Sequence, residues 1–547
     1  MNRRIAFGLA FAALLSACTV GPDFKTPDAR IPASWHDSQA ASAPEMTSGA
    51  RGTPPAQGTS RITTDSDPDP RWWRAFGDAT LDQLVERAVG SNLDLQQAVL
   101  RIAEARAQVQ GAAAQGLPDV RATASYQREQ LGIKGFLESQ GVYDKVDQLG
   151  APGSPVNQFA PGSGAAVQNG ASNLLNQLTS PINLWQAGFD ASWELDLFGR
   201  VRRSVEAAGA QEQAAIESHN DALVSLVAEV AQTYTQLRGA QAQRDIAVGL
   251  IDQQREVLTL TQSQAHAGLA SDADVRNASA QLAQTQAQLP QFEQQIAQAS
   301  NALSYLLGEA PGSLDSLLAA AAPVPPVPPT VPVGLPSTLA RRRPDIRRAE
   351  ANLHAATANV GVAVAQFYPD ISLTGQVGTR ATHAGDLTRW SHLFYSFGPS
   401  VSLPVFQGGA LVSNLRLSQA QQQEAALEYR KAVLTALSDV DNALTACRTD
   451  QSRRDALARS VADQQVAFDL ARDSYRQGLV SFINVLDTER QLSQARQQYA
   501  QGTTQVTTDV VALYKALGGG WETLPDAADT APRASVPATS LQNGQAR

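Results

Sequence analysis

The sequence predicts a mixed α/β membrane protein, in which membrane-spanning β-strands are joined to very long α-helices and the chain contains two internal repeats. Three observations predict this fold class. Short motifs recur in the same order in both halves, several segments alternate strictly between apolar and polar residues, and two very long stretches keep an almost unbroken helical pattern.

The first eighteen residues have the pattern of an export signal. Arg3 and Arg4 precede an apolar run over residues 5–15, which ends at Leu15-Ser16-Ala17-Cys18. Since spanning hydrocarbon takes about 20 residues, this shorter run predicts a signal peptide over residues 1–17. Small residues before a cysteine resemble the bacterial lipobox, so we expect Cys18 to be acylated and residues 18–70 to form a lipidated N-terminal segment. The alternative is that Cys18 is an ordinary apolar residue of a signal cleaved elsewhere.

Composition argues against several classes of protein. The formal net charge of −9 lacks the basic excess of a nucleic-acid binder. Only 6% of residues are aromatic and 17% charged, which suits narrow helix-to-helix seams better than thick globular cores. The six histidines share no metal-ligand spacing, and with Cys18 acylated the second cysteine, Cys447, has no disulfide partner. We therefore expect no metal, no cofactor beyond the lipid and no nucleic-acid partner.

Matching motifs place two copies of one unit in the chain. Pro118 and Asp119 match Pro369 and Asp370 at an offset of 251 residues (118 to 369). Three later matches fall at offsets of 208 to 210: Leu195-Asp196-Leu197-Phe198 with Leu403-Pro404-Val405-Phe406, Gly268-Leu269-Ala270-Ser271 with Gly478-Leu479-Val480-Ser481, and Leu307-Gly308 with Leu517-Gly518. These matches predict repeats over residues 71–322 and 341–521, a Pro-rich linker over 323–340 and a flexible tail over 522–547.

The change of offset locates an insertion in the first copy. Between the first two matches this copy carries 43 additional residues (offset 251 against 208). Residues 132–180 are rich in Gly, Asn, Ser, Gln and Pro, which predicts a long exposed loop there.

Alternating segments predict strands with one apolar and one polar face. Over residues 185–197 the odd positions include aromatic and aliphatic residues, whereas the even positions are polar or glycine. Residues 371–378 and 393–405 repeat this period of two, which is typical of strands facing lipid on one side and water on the other. A soluble, half-buried sheet would show the same period. Four strands cannot close a barrel, so several subunits would have to complete one.

Long helices are predicted over residues 204–266 and 408–475, the first about 95 Å long at 1.5 Å per residue. Shorter helices are predicted over 92–115 and 272–307 in the first copy and over 344–366 and 482–517 in the second. Pro290 predicts a kink within one of them.

Taken together, these features resemble the TolC-type outer-membrane factors, in the NodT-like or OprM-like lipoprotein branch. The residues that carry the resemblance are Cys18-Thr19-Val20-Gly21-Pro22-Asp23-Phe24, Trp72-Trp73 with Phe76 and Leu81, Trp193-Glu194-Leu195-Asp196-Leu197-Phe198-Gly199, Arg341-Arg342-Arg343-Pro344-Asp345-Ile346-Arg347-Arg348-Ala349-Glu350, Tyr475-Arg476-Gln477-Gly478-Leu479-Val480-Ser481 and Val485-Leu486-Asp487.

This resemblance implies a homotrimer with a shared twelve-stranded β-barrel, four strands per chain, continued by a shared periplasmic α-helical barrel. The chain would be lipid-anchored in the outer membrane, with the 132–180 insertion outside the cell. Its partners would be outer-membrane lipid, a periplasmic adaptor and an inner-membrane pump of the resistance-nodulation-division class. The expected function is a passive exit duct for small toxic compounds. Type I protein secretion is the alternative, and a periplasmic coiled-coil scaffold is a more distant one. No catalytic motif is present, so we do not expect an enzyme.

The same resemblance implies two sets of functional residues. The helix reversals would form tips that receive the adaptor, with Gly268, Leu269 and Ser271 in the first copy and Gly478, Leu479 and Ser481 in the second. Asp487 would form an acidic ring at the periplasmic aperture, with Ile483 as an apolar ring one turn earlier. Asn484 stands where some members carry a second acid. The competing interpretations are that the glycines simply end helices and that Asp487 is a solvated surface residue.

Overall fold

The computed structural model describes residues 19–28, 31–36, 60–64, 66–130 and 132–522. Cys18, the signal peptide 1–17 and the tail from 523 onward lie outside the described residues. The chain forms two compact units. The first combines Gly111–Ser204 with Gly361–Asn414 and the chain up to Gly21, and the second contains Pro22–Gln110, Val205–Val360 and the chain from Leu415.

Six strands, fourteen α-helices and three short 3-10 helices (Trp72–Phe76, Ala384–Asp386 and Trp390–His392) occur in the described chain. The strands are β1 (Arg61–Thr63), β2 (Asp119–Glu129), β3 (Ile182–Glu194), β4 (Thr330–Pro332), β5 (Asp370–Ala381) and β6 (Leu393–Ser402). The helices are α1 (Ala79–Ser91), α2 (Leu93–Ala114), α3 (Ile133–Ser139), α4 (Val142–Gln148), α5 (Pro155–Phe159), α6 (Gly164–Thr179), α7 (Arg200–His266), α8 (Asp272–Gln286), α9 (Leu289–Leu306), α10 (Asp315–Leu318), α11 (Pro336–Arg342), α12 (Pro344–Ala365), α13 (Ala410–Arg476) and α14 (Phe482–Ala516).

The first unit contains an antiparallel sheet of four strands in the order β2-β3-β5-β6. Four strands per chain is the number that the sequence predicts, and the three alternating segments coincide with β3, β5 and β6. Strands β3 and β6 end earlier than the alternation does, at Glu194 and Ser402, whereas β5 continues beyond it to Ala381.

The segment between β2 and β3 corrects one prediction. Residues 132–180 are expected as a loop, yet they form the four short helices α3 to α6. The Gly, Ser and Pro residues that suggest a loop begin these helices instead. Gly132 and Gly141 take left-handed backbone angles just before α3 and α4, and the Ser154 side chain caps α5 with Pro155 at its first position.

The helices that dominate the second unit follow the prediction closely. Helices α7 and α13 are each 67 residues long, and neither contains a proline. The kink expected at Pro290 is a break between α8 and α9, with Pro290 in the first turn of α9, where a missing N–H costs little. None of the described helices is both long enough and apolar enough to cross a membrane.

A large apolar core lies within the second unit. The fully buried Trp72 stacks on Tyr514, with ring centroids 5.1 Å apart, and Phe76 is buried beside it. Residues from the predicted Pro-rich linker join this core, because β4 pairs with β1 in a parallel ladder and buries Val331. Full burial of each such side chain contributes about 1.5–3 kcal/mol. Residues 323–340 are therefore part of the packed unit.

Candidate functional site

The sheet of the first unit has two chemically different faces. Residues directly opposite in an antiparallel pair point to the same side, so the register assigns each face. One face carries the apolar rows Ala122–Phe189–Val377–Tyr395 and Val120–Ala191–Gly375–Phe397. The row Arg121–Asp190–Gln376–Ser396 lies on the other. The alternation predicted from sequence is thus confirmed in three dimensions.

The apolar face is exposed. The side chain of Phe189 is 58% exposed and that of Phe397 82%. Exposed aromatic and aliphatic residues in contiguous rows are rare on monomeric soluble proteins and mark a surface covered by lipid or by another protein. Both outer strands of the sheet, β2 and β6, also have one edge with no strand paired to it among the described residues. Such edges need a partner in any apolar surrounding.

Both predicted helix reversals of the second unit are built alike. After α7, the Gly268 N–H donates to the Ala265 carbonyl (3.0 Å) and the Leu269 N–H to the Gln264 carbonyl (2.8 Å). The Gly268 φ angle of +75° is one that a side chain would strain. Glycine at this position therefore allows α7 to end in a left-handed turn.

The equivalent turn after α13 uses the same bonds. The N–H groups of Gly478 and Leu479 donate to the carbonyls of Tyr475 and Ser474, each over 2.9 Å. Leu269 and Leu479 are both largely exposed. Each tip thus presents one exposed leucine.

The two tips differ at the next residue. The Ser271 side chain accepts from the Asp274 N–H (3.2 Å), and the Asp274 carboxylate accepts from the Ser271 N–H (3.0 Å), forming a capping box at the start of α8. Ser481 makes no side-chain cap at the start of α14, where Asn484 takes the position of the acid. At the second tip, Asn484 therefore stands where an acid would complete a capping box, and this is the same residue that departs from the family pattern.

The predicted aperture residues share one exposed face of α14. Ile483 and Asp487 are four residues apart and both exposed, and the Gln491 side chain donates to the Asp487 carboxylate over 2.8 Å. Phe482 and Val485 point the other way, into a cluster with Val257, Phe468 and Tyr475. The exposed face is consistent with both the aperture and the solvated-surface interpretations.

A residue that the sequence analysis missed is Glu489, which is buried on the packed side of α14. Its Oε1 has no hydrogen-bond partner within the described chain, and burial raises its pKa, an effect that neighbouring Gln254 opposes. The sequence does contain a pattern that places Glu489 on the buried side of the helix. Phe482, Val485, Glu489 and Leu492 recur at the spacing of a buried helical stripe, with a carboxyl group at the third position.

Two further titratable groups of the second unit, the thiol of Cys447 and the carboxyl group of Asp509, are buried. Cys447 is buried, which raises the pKa of its thiol to about 12. Burial, assisted by nearby Asp450, raises the pKa of Asp509 to about 6. Across the described part of the chain, no three His, Cys, Asp or Glu side chains are grouped to hold a metal ion. The groups described here provide surfaces and turns.

Comparison with known proteins supports the interpretation of these surfaces. Residues 84–309 and 335–519 match the family model described as outer membrane efflux protein. Nodulation protein T of Rhizobium leguminosarum bv. viciae is 30% identical over 524 residues, covering 94% of each chain. The solvent efflux pump outer membrane protein SrpC of Pseudomonas putida is 32% identical over 511 residues, covering 93% of this chain and 96% of that one.

Among solved structures, the outer-membrane channel OprN has a TM-score of 0.76 and 32% identity, covering 92% of this chain and all of that one. The family match and the relatives cover most of the chain, including the four-stranded sheet and both long helices. The chain therefore belongs to the outer membrane efflux protein family.

Proposed function

We propose that this protein is the outer-membrane channel of a tripartite efflux pump, a passive exit duct for small toxic compounds. The observation that carries the proposal is the four-stranded sheet, which has an exposed apolar face, a polar face and two edges that no described strand pairs with. Facing lipid with one side and water with the other is what a transmembrane barrel requires.

Three copies would close the barrel. Within lipid an unpaired strand edge leaves N–H and C=O groups unsatisfied, so β2 of one copy pairs with β6 of the next until no edge remains. Three chains of four strands give a twelve-stranded barrel, and the helices of three chains continue it as a periplasmic α-helical barrel. Two structural repeats per chain then supply equivalent parts of this wall.

The substrates would be small, toxic and largely apolar. The relatives from Pseudomonas putida are named for solvent, toluene and antibiotic efflux, which supports this class of substrate for a chain so similar over its full length. A periplasmic adaptor and an inner-membrane transporter of the resistance-nodulation-division class deliver the substrate, and the transporter supplies the energy. The duct itself catalyses no reaction.

The adaptor would dock at the two tips. Gly268, Leu269 and Ser271 form one, and Gly478, Leu479 and Ser481 the other. The exposed Leu269 and Leu479 side chains, 78% and 71% accessible, give an apolar docking point at each turn. Because the two turns share one hydrogen-bonding pattern, an adaptor hairpin can meet both in the same way.

Asp487 and Ile483 would line the periplasmic aperture. In a three-fold assembly the exposed face of α14 brings three copies of each side chain toward one axis. Three carboxylates in a narrow opening attract and hold cations, exclude anions and narrow the passage, so they favour cations and limit conductance. The ring of isoleucines one turn away adds an apolar constriction.

An acyl chain on Cys18 would anchor the chain to the outer membrane. A lipid chain binds a membrane weakly beside an inserted barrel, so Cys18→Ser should lose metabolic palmitate label while still forming trimers in the outer membrane. A variant that keeps the label would refute lipidation at Cys18. A variant that stays monomeric and soluble would refute the barrel.

Deletion of the gene tests the function itself. The deletion strain should become more susceptible to toluene and to several unrelated antibiotics, and a plasmid copy should restore resistance. Normal resistance across the panel, combined with loss of a secreted protein from the medium, would instead indicate type I protein secretion.

A further inference from the structure

The helical insertion carries an exposed apolar stripe that the duct does not require. Val167, Leu174 and Leu178 lie on one side of α6, at spacings of seven and four residues, with Ala171 between them. Leu174 is 59% exposed and Leu178 51%. We refer to Val167, Leu174 and Leu178 as the insertion stripe.

The hydrogen bonds that α6 makes within the insertion come from a side about a quarter-turn around the helix from the stripe, so the stripe is not the side packed within the insertion. The Gln168 side chain donates to Asp147 of α4 over 3.1 Å, and the Tyr143 hydroxyl meets the Thr179 hydroxyl at 3.4 Å. The half-buried Leu175 lies on this same inward side. The insertion is therefore folded on itself through one side of α6, while the insertion stripe remains exposed among the described residues.

The chemistry of the stripe favours a neutral protein surface as its occupant. Residues 148–189 contain no Asp, Glu, Lys or Arg. Helices that lie on membrane surfaces usually carry Lys or Arg on their polar side, and α6 has neither. A strongly charged partner would likewise find no complementary group on α6.

The position of the insertion points to a second copy of this chain. The insertion leaves edge strand β2 at Glu129 and returns at Ile182, its partner in the register. The β5–β6 connection lies at the same end of the sheet, since Thr379 pairs with Leu393. That connection belongs to the opposite edge strand and carries Trp390, which is 84% exposed. When β2 of one copy pairs with β6 of the next, the insertion therefore lies beside the neighbour's β5–β6 connection.

We propose that the insertion stripe packs against the neighbouring copy of this chain at the outer rim of the barrel. This inference rests on the proposed multichain barrel and adds to it a second subunit interface, formed by side chains outside the strands. The neighbour's β5–β6 connection, which carries Trp390 shortly before β6, is the surface that the stripe covers.

Site-specific photo-crosslinking in intact cells tests the proposal. A benzophenone amino acid replaces Leu174 in the full-length protein, and the matched control carries it at Asn176, an exposed polar position on another side of the same helix. Irradiation should give covalent multimers of this chain from position 174, several-fold more than from position 176. Changing Trp390 to Ala should reduce the yield from position 174.

The outcomes separate this inference from the proposed function. Native mass of the unirradiated protein establishes first whether a multichain assembly forms, and its absence would refute the barrel itself. An intact assembly that gives no chain-to-chain product from position 174, or no more than from position 176, would overturn the rim interface. A product whose added mass is that of a lipid would overturn it in favour of a membrane-facing stripe.

Discussion

Arg343 connects three helices of the second unit, and replacing it by lysine gives a sharp test of how that unit is held together. Its guanidinium makes two bonds to the Asp345 carboxylate at the start of α12, of 3.0 and 2.7 Å. It makes two more to one oxygen of Asp439 on α13, of 3.2 and 3.1 Å. A fifth bond, of 3.0 Å, goes to the carbonyl of Ala516, the last residue of α14.

The geometry sets the size of the expected effect. Hydrogen bonds to charged groups contribute about 1.5–3 kcal/mol each when buried, and the side chain of Arg343 is only 12% exposed. The Asp439 side chain is 44% exposed, so water replaces part of the hydrogen bonding that its carboxylate loses when Arg343 is changed. Lysine keeps the charge but cannot reproduce the planar fork, so Arg343→Lys should lower the free energy of unfolding by about 2 kcal/mol. Arg343→Ala should cost more, about 3 kcal/mol, because it leaves the partly buried Asp345 carboxylate and the Ala516 carbonyl without their donor.

Urea unfolding of the detergent-solubilised protein measures this difference. Tryptophan fluorescence reports on the core of the same unit, where Trp72 and Trp73 are buried. The matched control is Arg341→Lys, at an exposed position two residues away, which should change stability by less than about 0.5 kcal/mol. Equal stabilities for the Arg343→Lys and Arg341→Lys variants would show that the five-bond cluster does not hold the helices together.

Three further predictions concern the tip and the packed helices. Asp487→Ala should raise single-channel conductance in planar bilayers and weaken cation preference, whereas unchanged values in an assembled protein would identify Asp487 as a solvated surface residue. Ser271→Ala should destabilise the first turn of α8 by about 1 kcal/mol, because it removes the side-chain cap. Asn484→Asp should protect the first turn of α14 from amide hydrogen exchange, because it supplies the missing acid of a capping box. Equal exchange in Asn484→Asp and the parent protein would contradict the capping argument. The pKa of Asp509 rises from 3.8 to about 6 on folding. The protonated carboxyl group therefore contributes to the free energy of unfolding at low pH, and this contribution is lost as the pH rises from about 4 to 6. Asp509→Asn should flatten urea midpoints across this range, and an unchanged pH profile would exclude Asp509 as the cause.

Much of the fold could be predicted from sequence because its signals are local. Pro344 and Gly478 mark a helix start and a helix end within one residue of the observed bounds, since proline suits the first turn and glycine the left-handed position after the last. The period of two likewise assigns Phe189 and Val377 to one face before any register is known.

What sequence could not predict depends on contacts between distant residues. The composition of residues 132–180 fits a loop, and only the left-handed Gly132 and Gly141, each directly before a short helix, show in the structure how these glycines begin helices. Nothing local shows that Val331 is buried by pairing with a strand more than 260 residues earlier. The buried Glu489 was recoverable from its stripe but resembles any exposed helical acid when considered alone.

The central claim is that several copies of this chain close one barrel, because within the part of the chain that the structure describes, a single four-stranded sheet leaves the edges of β2 and β6 unpaired. Native mass spectrometry of the protein purified from outer membranes in mild detergent tests it most directly. We predict a single assembly of three chains. A monomer that remains folded and membrane-embedded would contradict the claim, because its sheet would then face lipid with both edges open.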